Sequence, residues 1–563
     1  MPFTLEDRAV DDVRALRLAV IGASLSGILA GILLPAKVPN MQLTIFEKNL
    51  DVGGTWFENV YPGVRCDIPA SVYQATFAPN TEWSEDFAQG GEIREYWQGL
   101  ARRHNVYQYV KLGHKIRRAH WSDVSSTWKL DVTDLTTDTH TEQHFDFVIA
   151  AVGKFNNAIL PSYPGLDEYQ GLIRHTSNWD PTYNPTGQRV AVIGNGASGI
   201  QILPNIQPLA AHIDHYVRSP TWIASSWTGE ERTVGARQFS AEQLESFKDP
   251  QAYLEYRKLQ KDQYWRGALS TLSGTEAHQQ LRTDSEETMK RRLSKDPQLA
   301  ESMIPSFPPH CRRLTPGPGY LEAITAENVS YITTPIKRFT ATGIETVDGI
   351  HRPVDAVFCA TGFSRDCAPA FPVVSRGVDL ASAWTPGGKW GFPYTYLGIS
   401  TPGFPNWGWM LGPHPSGVTG TVPKAMQTLL TYYAKLLRKM STQGIRTAEP
   451  SIEATDDFVE YVNAFFPTTV FTEDCSSWAK SGRESSYIHG HWPGSGAQCD
   501  IVRKEPKWED WKFRYDSPSG NRFAHLGTGF TRKEVDPESD MTEYLKLPDT
   551  IDLRRLHEDW WEA

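Results

Sequence analysis

Short apolar runs that end in a glycine-rich turn and continue into an apolar helical segment occur twice along the chain. The first such unit begins at Leu18 and the second at Arg189. Runs of this length predict buried β-strands, and the apolar segments behind the turns predict buried helices. The stretch over 18–34 is almost long enough to cross a membrane, but its glycines favour a strand, a turn and a helix instead.

A second short apolar run completes each unit. In the first unit residues 43–46 end at Glu47, and in the second unit residues 215–217 end at Arg218 and Ser219. A strand, a glycine turn, a helix and a second strand within roughly 30 residues form the arrangement of a dinucleotide-binding fold. We therefore predict an α/β protein with two Rossmann-like dinucleotide-binding domains.

The rest of the chain gives weaker patterns. Residues 145–153 and 354–362 each predict a buried strand, whereas residues 228–301 are charged and helical in tendency, which predicts a helical insertion. Residues 401–420 are rich in Gly, Pro and Trp and predict an ordered loop. Beyond them, residues 429–440 give the one convincing helix.

Composition narrows the class of protein. The 563 residues are 40% hydrophobic and 22% charged, which is typical of a globular chain long enough for several buried cores. Lys and Arg number 56 against 66 Asp and Glu, and the resulting net charge of −10 argues against nucleic acid as a partner. The 19 Trp predict apolar pocket lining, although domain interfaces also use Trp.

The six cysteines are scattered and form no C-x-x-C pair, so we expect reduced thiols in a cytoplasmic protein. Residues 1–12 do not resemble a signal or transit peptide, and residues 560–563 are neither a peroxisomal nor a prenylation signal. We predict no membrane insertion and no metal site.

The first glycine turn contains Gly22, Ser24 and Gly27, with Ser24 in place of the usual middle glycine. Glycines at a helix start let the backbone approach a pyrophosphate, and the positive end of the helix favours its charge. Glu47 is spaced to accept hydrogen bonds from a ribose and would repel a 2′-phosphate. This unit therefore predicts FAD or NAD; the alternative is a tight structural turn.

The second turn keeps all three glycines, Gly194, Gly196 and Gly199, with Ser198 between them. Arg218 stands where the first unit has an acid, and a guanidinium there would pair with a 2′-phosphate. This unit predicts NADPH, with Ser219 beside it; the alternative for Arg218 is an ordinary surface arginine. Two such units suggest that NADPH reduces a flavin, FAD, which then does the chemistry.

Residues 169–180 read Tyr-Gln-Gly-Leu-Ile-Arg-His-Thr-Ser-Asn-Trp-Asp. This segment resembles the F-x-G-x-x-x-H-x-x-x-W-(P/D) fingerprint of Baeyer–Villiger monooxygenases, a family of class B flavin monooxygenases, with Tyr169 in place of Phe. Residues 53–67 are similar to the family's G-G-x-W-x-x-x-x-Y-P-G-x-x-x-D segment, and residues 360–363 to an A-T-G segment of flavin monooxygenases. The matching residues that we assign to cofactor binding or conformational linkage are Gly54, Thr55, Trp56, Asp67, Gly171, His175, Trp179, Thr361 and Gly362.

The resemblance implies a reaction in which a flavin C4a-peroxide, formed with O2, attacks a ketone and gives an ester or lactone. The reacting species are anionic, so a fixed cation is needed. The family's arginine pair resembles Arg312 and Arg313 here: Arg313 would be that cation, oriented by Asp67, and Arg312 would contact the NADP phosphate. The alternative is two surface arginines on a Pro-rich loop.

Several further residues have weaker assignments. We expect a linking role near the nucleotide for His175 rather than general-base catalysis, and Trp56 and Trp478 as nucleotide or flavin neighbours, with a core position as the alternative for Trp478. Residues 412–414 are a candidate pocket loop. The predicted FAD-binding domain comprises residues 1–155 and, with the pocket loops, 382–563; the NADP-binding domain comprises 156–227 and 331–381; the helical insertion comprises 228–330.

Two rival functions remain open at this stage. One is a flavin monooxygenase that oxidises nitrogen or sulfur, although Trp179 favours ketones. The other is a flavin-binding protein without oxygenase activity. The sequence does not indicate which ketone is the substrate, nor an oligomeric state.

Overall fold

The computed structural model describes residues 3–223, 238–364, 367–480, 487–553 and 556–558. The start of the predicted insertion and the C-terminal residues 559–563 therefore lie outside the described residues. The strands are β1 Leu16–Ile21, β2 Met41–Phe46, β3 Val110–Lys111, β4 His114–Ser122, β5 Thr127–Asp134, β6 Thr139–Phe145, β7 Phe147–Ala150, β8 Leu172–His175, β9 Arg189–Ile193, β10 His212–Tyr216, β11 Val329–Ile332, β12 Ile336–Thr340, β13 Gly343–Thr346, β14 His351–Pro353, β15 Ala356–Cys359, β16 Val373–Ser375, β17 Val378–Asp379, β18 Trp407–Trp409, β19 Ile445–Pro450 and β20 Trp511–Tyr515. The α-helices are α1 Leu25–Lys37, α2 Thr55–Glu58, α3 Gly90–Arg103, α4 Ala197–Ile206, α5 Ala241–Ser246, α6 Pro250–Arg266, α7 Glu276–Arg292, α8 Pro297–Met303, α9 Tyr320–Ala323, α10 Leu380–Trp384, α11 Val422–Thr442, α12 Ile452–Phe465, α13 Gly496–Val502 and α14 Arg532–Val535.

The first glycine unit lies in a parallel five-stranded sheet with the order β18-β7-β1-β2-β3. Strand β1 pairs in register with β2, so that Leu18 lies opposite Leu43 and Val20 opposite Ile45. Helix α1 follows β1 and packs with α11 in one continuous core. The stretch over 18–34 is thus a strand, a turn and a helix, as predicted, and none of the described helices combines the length and hydrophobicity of a membrane span.

The second glycine unit lies in another parallel five-stranded sheet, with the order β11-β10-β9-β15-β8. The predicted strand over 354–362 corresponds to β15, which lies between β9 and the edge strand β8 in this sheet. Two parallel sheets, each with a glycine turn between its first strand and helix, confirm the predicted α/β class with two dinucleotide-binding folds.

A third sheet was not predicted. Strands β4, β5 and β6 form an antiparallel meander, and β16 and β17 extend it in the order β17-β16-β4-β5-β6. The sequence did not predict this sheet because its strands lack apolar runs, as expected when only one face of a sheet is buried. Strand β6, for example, is polar and almost wholly exposed. Two smaller sheets, β12-β13-β14 and β19-β20, complete the strands.

The predictions for the second half of the chain are correct only in part. Residues 241–303 are helical, as expected for the insertion. The segment 401–420, predicted as loop, contains strand β18, whose three residues Trp407, Gly408 and Trp409 are too few for a periodic signal. The single predicted helix begins earlier, at Val422, and α12 and α13 follow it.

One prediction from composition is wrong. Cys311 and Cys475 form a disulfide with their Cα atoms 6.3 Å apart, although all cysteines were expected to be reduced. The two residues are separated by 164 positions, so only the tertiary fold brings them together.

Several of the tryptophans lie in the core. Those that are fully buried are Trp97, Trp128, Trp222, Trp407 and Trp409.

Candidate functional site

The first glycine turn is held by close backbone approaches. Gly22 has φ +107°, and a Cβ there would lie 2.5 Å from the Ala151 carbonyl oxygen. A Cβ on Gly27 would lie 2.1 Å from the Gly22 oxygen, and a Cβ on Gly54 would lie 2.3 Å from the Cβ of Ser24. A larger side chain at any of these glycines would displace backbone or the Ser24 Cβ, so the turn is tight for structural reasons as well.

Glu47 ties the end of β2 to this turn. Its Oε2 accepts a hydrogen bond from the Ala23 N–H at 2.7 Å, and its Oε1 accepts one from the Asn49 N–H at 2.9 Å. Burial raises the pKa of the carboxyl, while these two N–H groups act in the opposite direction. The carboxylate is therefore fixed beside the turn, where the ribose of a nucleotide is predicted to meet it.

The second turn differs from the first at its middle glycine. Gly194 has φ +102° and Gly199 is pressed against it, because a Cβ on Gly199 would lie 2.0 Å from the Gly194 oxygen. A Cβ on Gly196 would meet no heavy atom within 4 Å, although Gly196 opens the helix α4. The packing of the described residues does not require glycine at position 196. The open space beside it lets a phosphate approach the backbone, so this turn fits a dinucleotide.

Basic residues accompany the second turn. Arg218 lies two residues beyond the end of β10 and is exposed. Arg312 donates from Nη1 to the Ser219 Oγ at 3.2 Å and to the Pro220 carbonyl oxygen at 3.0 Å. Arg312 and Arg218 thus flank Ser219 at the end of the second strand, which is the side on which a 2′-phosphate is expected.

Arg313 pairs with Asp67, which is 246 positions away in the chain. Its Nη2 donates to Oδ1 at 2.8 Å and its Nε donates to Oδ2, so the contact is bidentate. Asp67 raises the pKa of the guanidinium, and Tyr264 and Tyr73 lie close enough to add to that effect. The Arg313 side chain keeps 42% of its surface accessible while it holds Asp67, so the guanidinium can still be reached by a further ligand.

Neighbouring side chains connect this ion pair to other elements. The Trp56 Nε1, on α2, donates to the Tyr73 hydroxyl at 3.2 Å. Tyr73 in turn lies close enough to Arg313 to raise its pKa, so Tyr73 connects Trp56 to the ion pair. Thr55, beside Trp56, is exposed. Tyr264 lies on α6, in the helical insertion. The insertion thus contributes to the site, which sequence reasoning missed because an isolated Tyr on a charged helix carries no signal.

His175 joins the fingerprint segment to the A-T-G segment. Its Nε2 donates to the Gly362 carbonyl oxygen at 2.9 Å, and its Nδ1 accepts from the Ser177 N–H at 3.1 Å. Burial lowers the pKa of the imidazole, which fits this neutral form. The Thr361 hydroxyl donates to the Ile159 carbonyl oxygen. Ile159 lies on the segment from β7 to β8, which enters the second sheet, and Thr361 lies on the segment after β15, which leaves it. The two connecting segments therefore run side by side.

The other predicted residues divide between core and site. Trp179 is buried against Phe358, with ring centres 4.3 Å apart, and Gly171 lies against the Tyr169 hydroxyl, where a Cβ would be 2.3 Å away. These two shape the second fold. Ser198 is close enough to the buried Tyr61 to affect its pKa. Trp478 is half-buried and contacts Phe155 and His491, so it is no ordinary core residue.

The comparisons agree with this architecture. The Flavin-binding monooxygenase-like family matches residues 15–232. The FAD-binding monooxygenase moxY of Dothistroma septosporum is 32% identical, over 98% of this chain and 87% of its own length. The FAD-binding monooxygenase tazF of Aspergillus terreus is also 32% identical, over 94% of this chain and 95% of its own length. The chain therefore belongs to the flavin-binding monooxygenase-like family, and the flavin monooxygenase class predicted from the sequence is confirmed.

Solved structures share the fold over most of the chain. The closed crystal structure of cyclohexanone monooxygenase matches with a TM-score of 0.75 at 23% identity, over 89% of this chain and 100% of that one. The oxidized steroid monooxygenase bound to NADP matches with a TM-score of 0.75 at 25% identity, over 89% of this chain and 99% of that one. OTEMO in complex with FAD and NADP matches with a TM-score of 0.74 at 24% identity, over 89% and 100%.

Proposed function

We propose that the protein is an FAD-containing, NADPH-dependent Baeyer–Villiger monooxygenase, which inserts an oxygen atom from O2 next to a ketone carbonyl and forms an ester or lactone. The observation that carries the proposal is the bidentate pair of Arg313 and Asp67, which leaves the guanidinium partly accessible, in a chain with two dinucleotide turns. A cytoplasmic location belongs to the same proposal.

The chain's own residues divide the two cofactors between the two turns. Gly22, Ser24, Gly27 and Glu47 would hold FAD, with residues 54–56 beside it. Gly194, Gly196, Arg218, Ser219 and Arg312 would hold NADP, whose 2′-phosphate the two arginines would neutralise. Bound FAD, reduced by NADPH, supplies the activated oxygen for the reaction.

Arg313 supplies a permanent positive charge where negative charge develops on the substrate's carbonyl oxygen. A guanidinium stays protonated at any physiological pH, and Asp67 both raises its pKa and fixes its plane. Because the pair is formed before substrate arrives, little reorganisation is needed when the charge develops. Asp67 is therefore a positioning residue, and Arg313 is the catalytic residue of this proposal.

His175 fixes the place where the chain leaves the second parallel sheet. Its neutral imidazole joins β8 to Gly362, just beyond the carboxyl end of the neighbouring strand β15. Strand ends of this kind border the ligand crevice in open α/β sheets. We infer that His175 holds the crossing while the nucleotide shields the cavity from water.

The direct test is product identification. Purified protein with FAD, NADPH and air is supplied with ketones of graded size, and with an amine and a sulfide in parallel, and the products are identified by mass spectrometry. Ester or lactone formation supports the proposal, whereas an N-oxide or sulfoxide as the main product supports the heteroatom-oxidising alternative.

The Arg313→Ala variant separates an oxygenase from a flavin-binding protein without that activity. We expect ester formation to fall by at least about a hundredfold while NADPH oxidation continues, since the lost group acts on the oxygenation step. Arg338→Ala is the matched control, because Arg338 is also paired with a carboxylate, Glu345, but on the exposed strand β12. Absence of turnover in the wild-type protein with every substrate would contradict the proposal.

A further inference from the structure

A buried lysine lies directly behind one of the strands that border the candidate site. Lys154 follows Gly153 at the carboxyl end of β7, which pairs with β1 and β18 in the first parallel sheet. Its Nζ has almost no solvent-accessible surface and no hydrogen-bond partner among the described residues. A buried ammonium group without an acceptor is costly, so such a group calls for an explanation.

The surroundings of Lys154 are aromatic. Its Nζ lies 5.3 Å from the ring centre of Trp478. Phe155 lies 5.7 Å from Trp478 and 5.9 Å from Phe363, measured between ring centres, and His491 lies 5.3 Å from Trp478. Flat rings of this kind contact a flat apolar ligand well, and the Trp478 ring attracts the ammonium group only weakly compared with a hydrogen-bonded anion.

This aromatic cluster belongs to the same part of the molecule as Arg313. The pKa of the His491 imidazole is lowered to about 3, first by burial and then by the nearby charges of Lys154 and Arg313. His491 is therefore neutral and is close enough to both cations to respond to them. Lys154 and Arg313 thus both lie within electrostatic range of His491.

Among the described residues, no carboxylate pairs with Lys154. Burial lowers the pKa of its ammonium group, and the described Cys367 acts in the opposite direction. Asp67 is already engaged by Arg313 in a bidentate pair. The described residues around Lys154 therefore supply no anion to pair with its ammonium group.

We propose that Lys154 is a specificity-determining residue, which donates a hydrogen bond to an anionic oxygen on an aromatic ketone substrate. That the ligand is a substrate rests on the proposed function, whereas its binding to Lys154 does not depend on turnover. A carboxylate and a phenolate offer the same anionic oxygen, and the rings of Trp478, Phe155 and Phe363 would contact the aromatic body that carries it. Charge-assisted hydrogen bonds in a buried site are strong enough to select an acid over its neutral ester.

The test compares acids with neutral partners of the same shape. The carboxylate arm uses 4-acetylbenzoate and its methyl ester, and the phenolate arm uses 4-hydroxyacetophenone and 4-methoxyacetophenone above the pKa of the phenol. Binding to the FAD-loaded protein is measured by calorimetry and by quenching of tryptophan fluorescence, without NADPH. In the wild-type protein we expect at least one anion to bind about tenfold or more tightly than its neutral partner.

Three variants assign that preference to the lysine. Lys154→Met removes the charge and should abolish the preference, whereas Lys154→Arg keeps the charge and should retain most of it. Lys389→Met is the matched control, because Lys389 also lies over a tryptophan, at 4.7 Å from the Trp390 ring centre, but is exposed. NADP⁺ affinity is measured in the same variants and should be unchanged.

Three results would overturn the inference. One is a wild-type protein that binds neither anion better than its neutral partner, a result that does not depend on the folding of any variant. The second is a preference for the anion that survives in Lys154→Met. The third is a weaker affinity of that variant for NADP⁺, which would make Lys154 a cofactor contact. If anions bind as expected but no ketone is oxygenated, the proposed function fails and the anion site at Lys154 stands. If ketones are oxygenated but anions bind no better than their neutral partners, the proposed function stands and the anion site fails.

Discussion

A methyl group added at Gly196 tests whether the second glycine turn receives a nucleotide. Gly196 has φ −73° and ψ −175°, a conformation that alanine adopts without strain, and the new Cβ would meet no heavy atom within 4 Å. Gly196→Ala should therefore change the free energy of unfolding by less than about 1 kcal/mol, because the gain of about 0.4–1 kcal/mol from restricting the unfolded chain is offset by the poorer capping of α4 by alanine.

The same methyl group would occupy the space that a pyrophosphate needs. Forced displacement in a packed contact costs about 1–3 kcal/mol, which corresponds to roughly a tenfold to hundredfold weaker affinity for NADP⁺. FAD binding at the first turn should not change. Titration with NADP⁺ and thermal unfolding of the same preparation measure both effects.

Gly199→Ala is the contrasting variant. Its Cβ would lie 2.0 Å from the Gly194 carbonyl oxygen, so the backbone of the turn must shift and the protein should lose stability as well as affinity. A Gly196→Ala protein that binds NADP⁺ as the wild type does would refute the assignment of this turn. A Gly199→Ala protein as stable as the wild type would refute the packing argument.

Three further predictions concern the ion pair, the disulfide and a buried histidine. Asp67→Asn removes the charge that orients Arg313, so kcat for ketone oxygenation should fall by at least about tenfold with little change in KM, in steady-state assays. Reduction of the bond between Cys311 and Cys475, which closes a loop of 164 residues, should lower the free energy of unfolding by up to about 5 kcal/mol in urea denaturation with and without a thiol reductant. Burial lowers the pKa of His215 to about 4, so below about pH 6.5 the unfolded state binds the proton that the folded state refuses. Stability should then fall as the pH falls, by about 2 kcal/mol at about pH 5 for this one group, and the slope should be smaller in His215→Gln.

Local sequence was enough for the elements that bind dinucleotides. The turn from Gly22 to Gly27 and the turn from Gly194 to Gly199 each lie between a strand and a helix, because the glycines allow backbone contacts that no other residue allows there. The contacts of Gly27 with Gly22 and of Gly199 with Gly194 are made within one turn, so their signature is readable in one segment of the chain.

Contacts between distant segments were not readable in the same way. The pairing of Arg313 with Asp67 was expected only from the family resemblance, and the disulfide between Cys311 and Cys475 was excluded on spacing. Lys154 had no signal beyond its place after a buried strand, since one lysine in a sequence says nothing about whether its charge is paired. The antiparallel sheet of β4, β5 and β6 was missed because its exposed face is polar.

The central claim is that oxygen from O2 enters the product next to a ketone carbonyl under the control of Arg313. It is tested most directly by turnover of a ketone under oxygen-18 gas, with the position of the label in the product read from fragment masses. We expect one oxygen-18 atom in the new C–O–C linkage with wild-type protein, and at least about a hundredfold less labelled ester with Arg313→Ala. An unlabelled ester, or a labelled ester formed equally well by the variant, would contradict it.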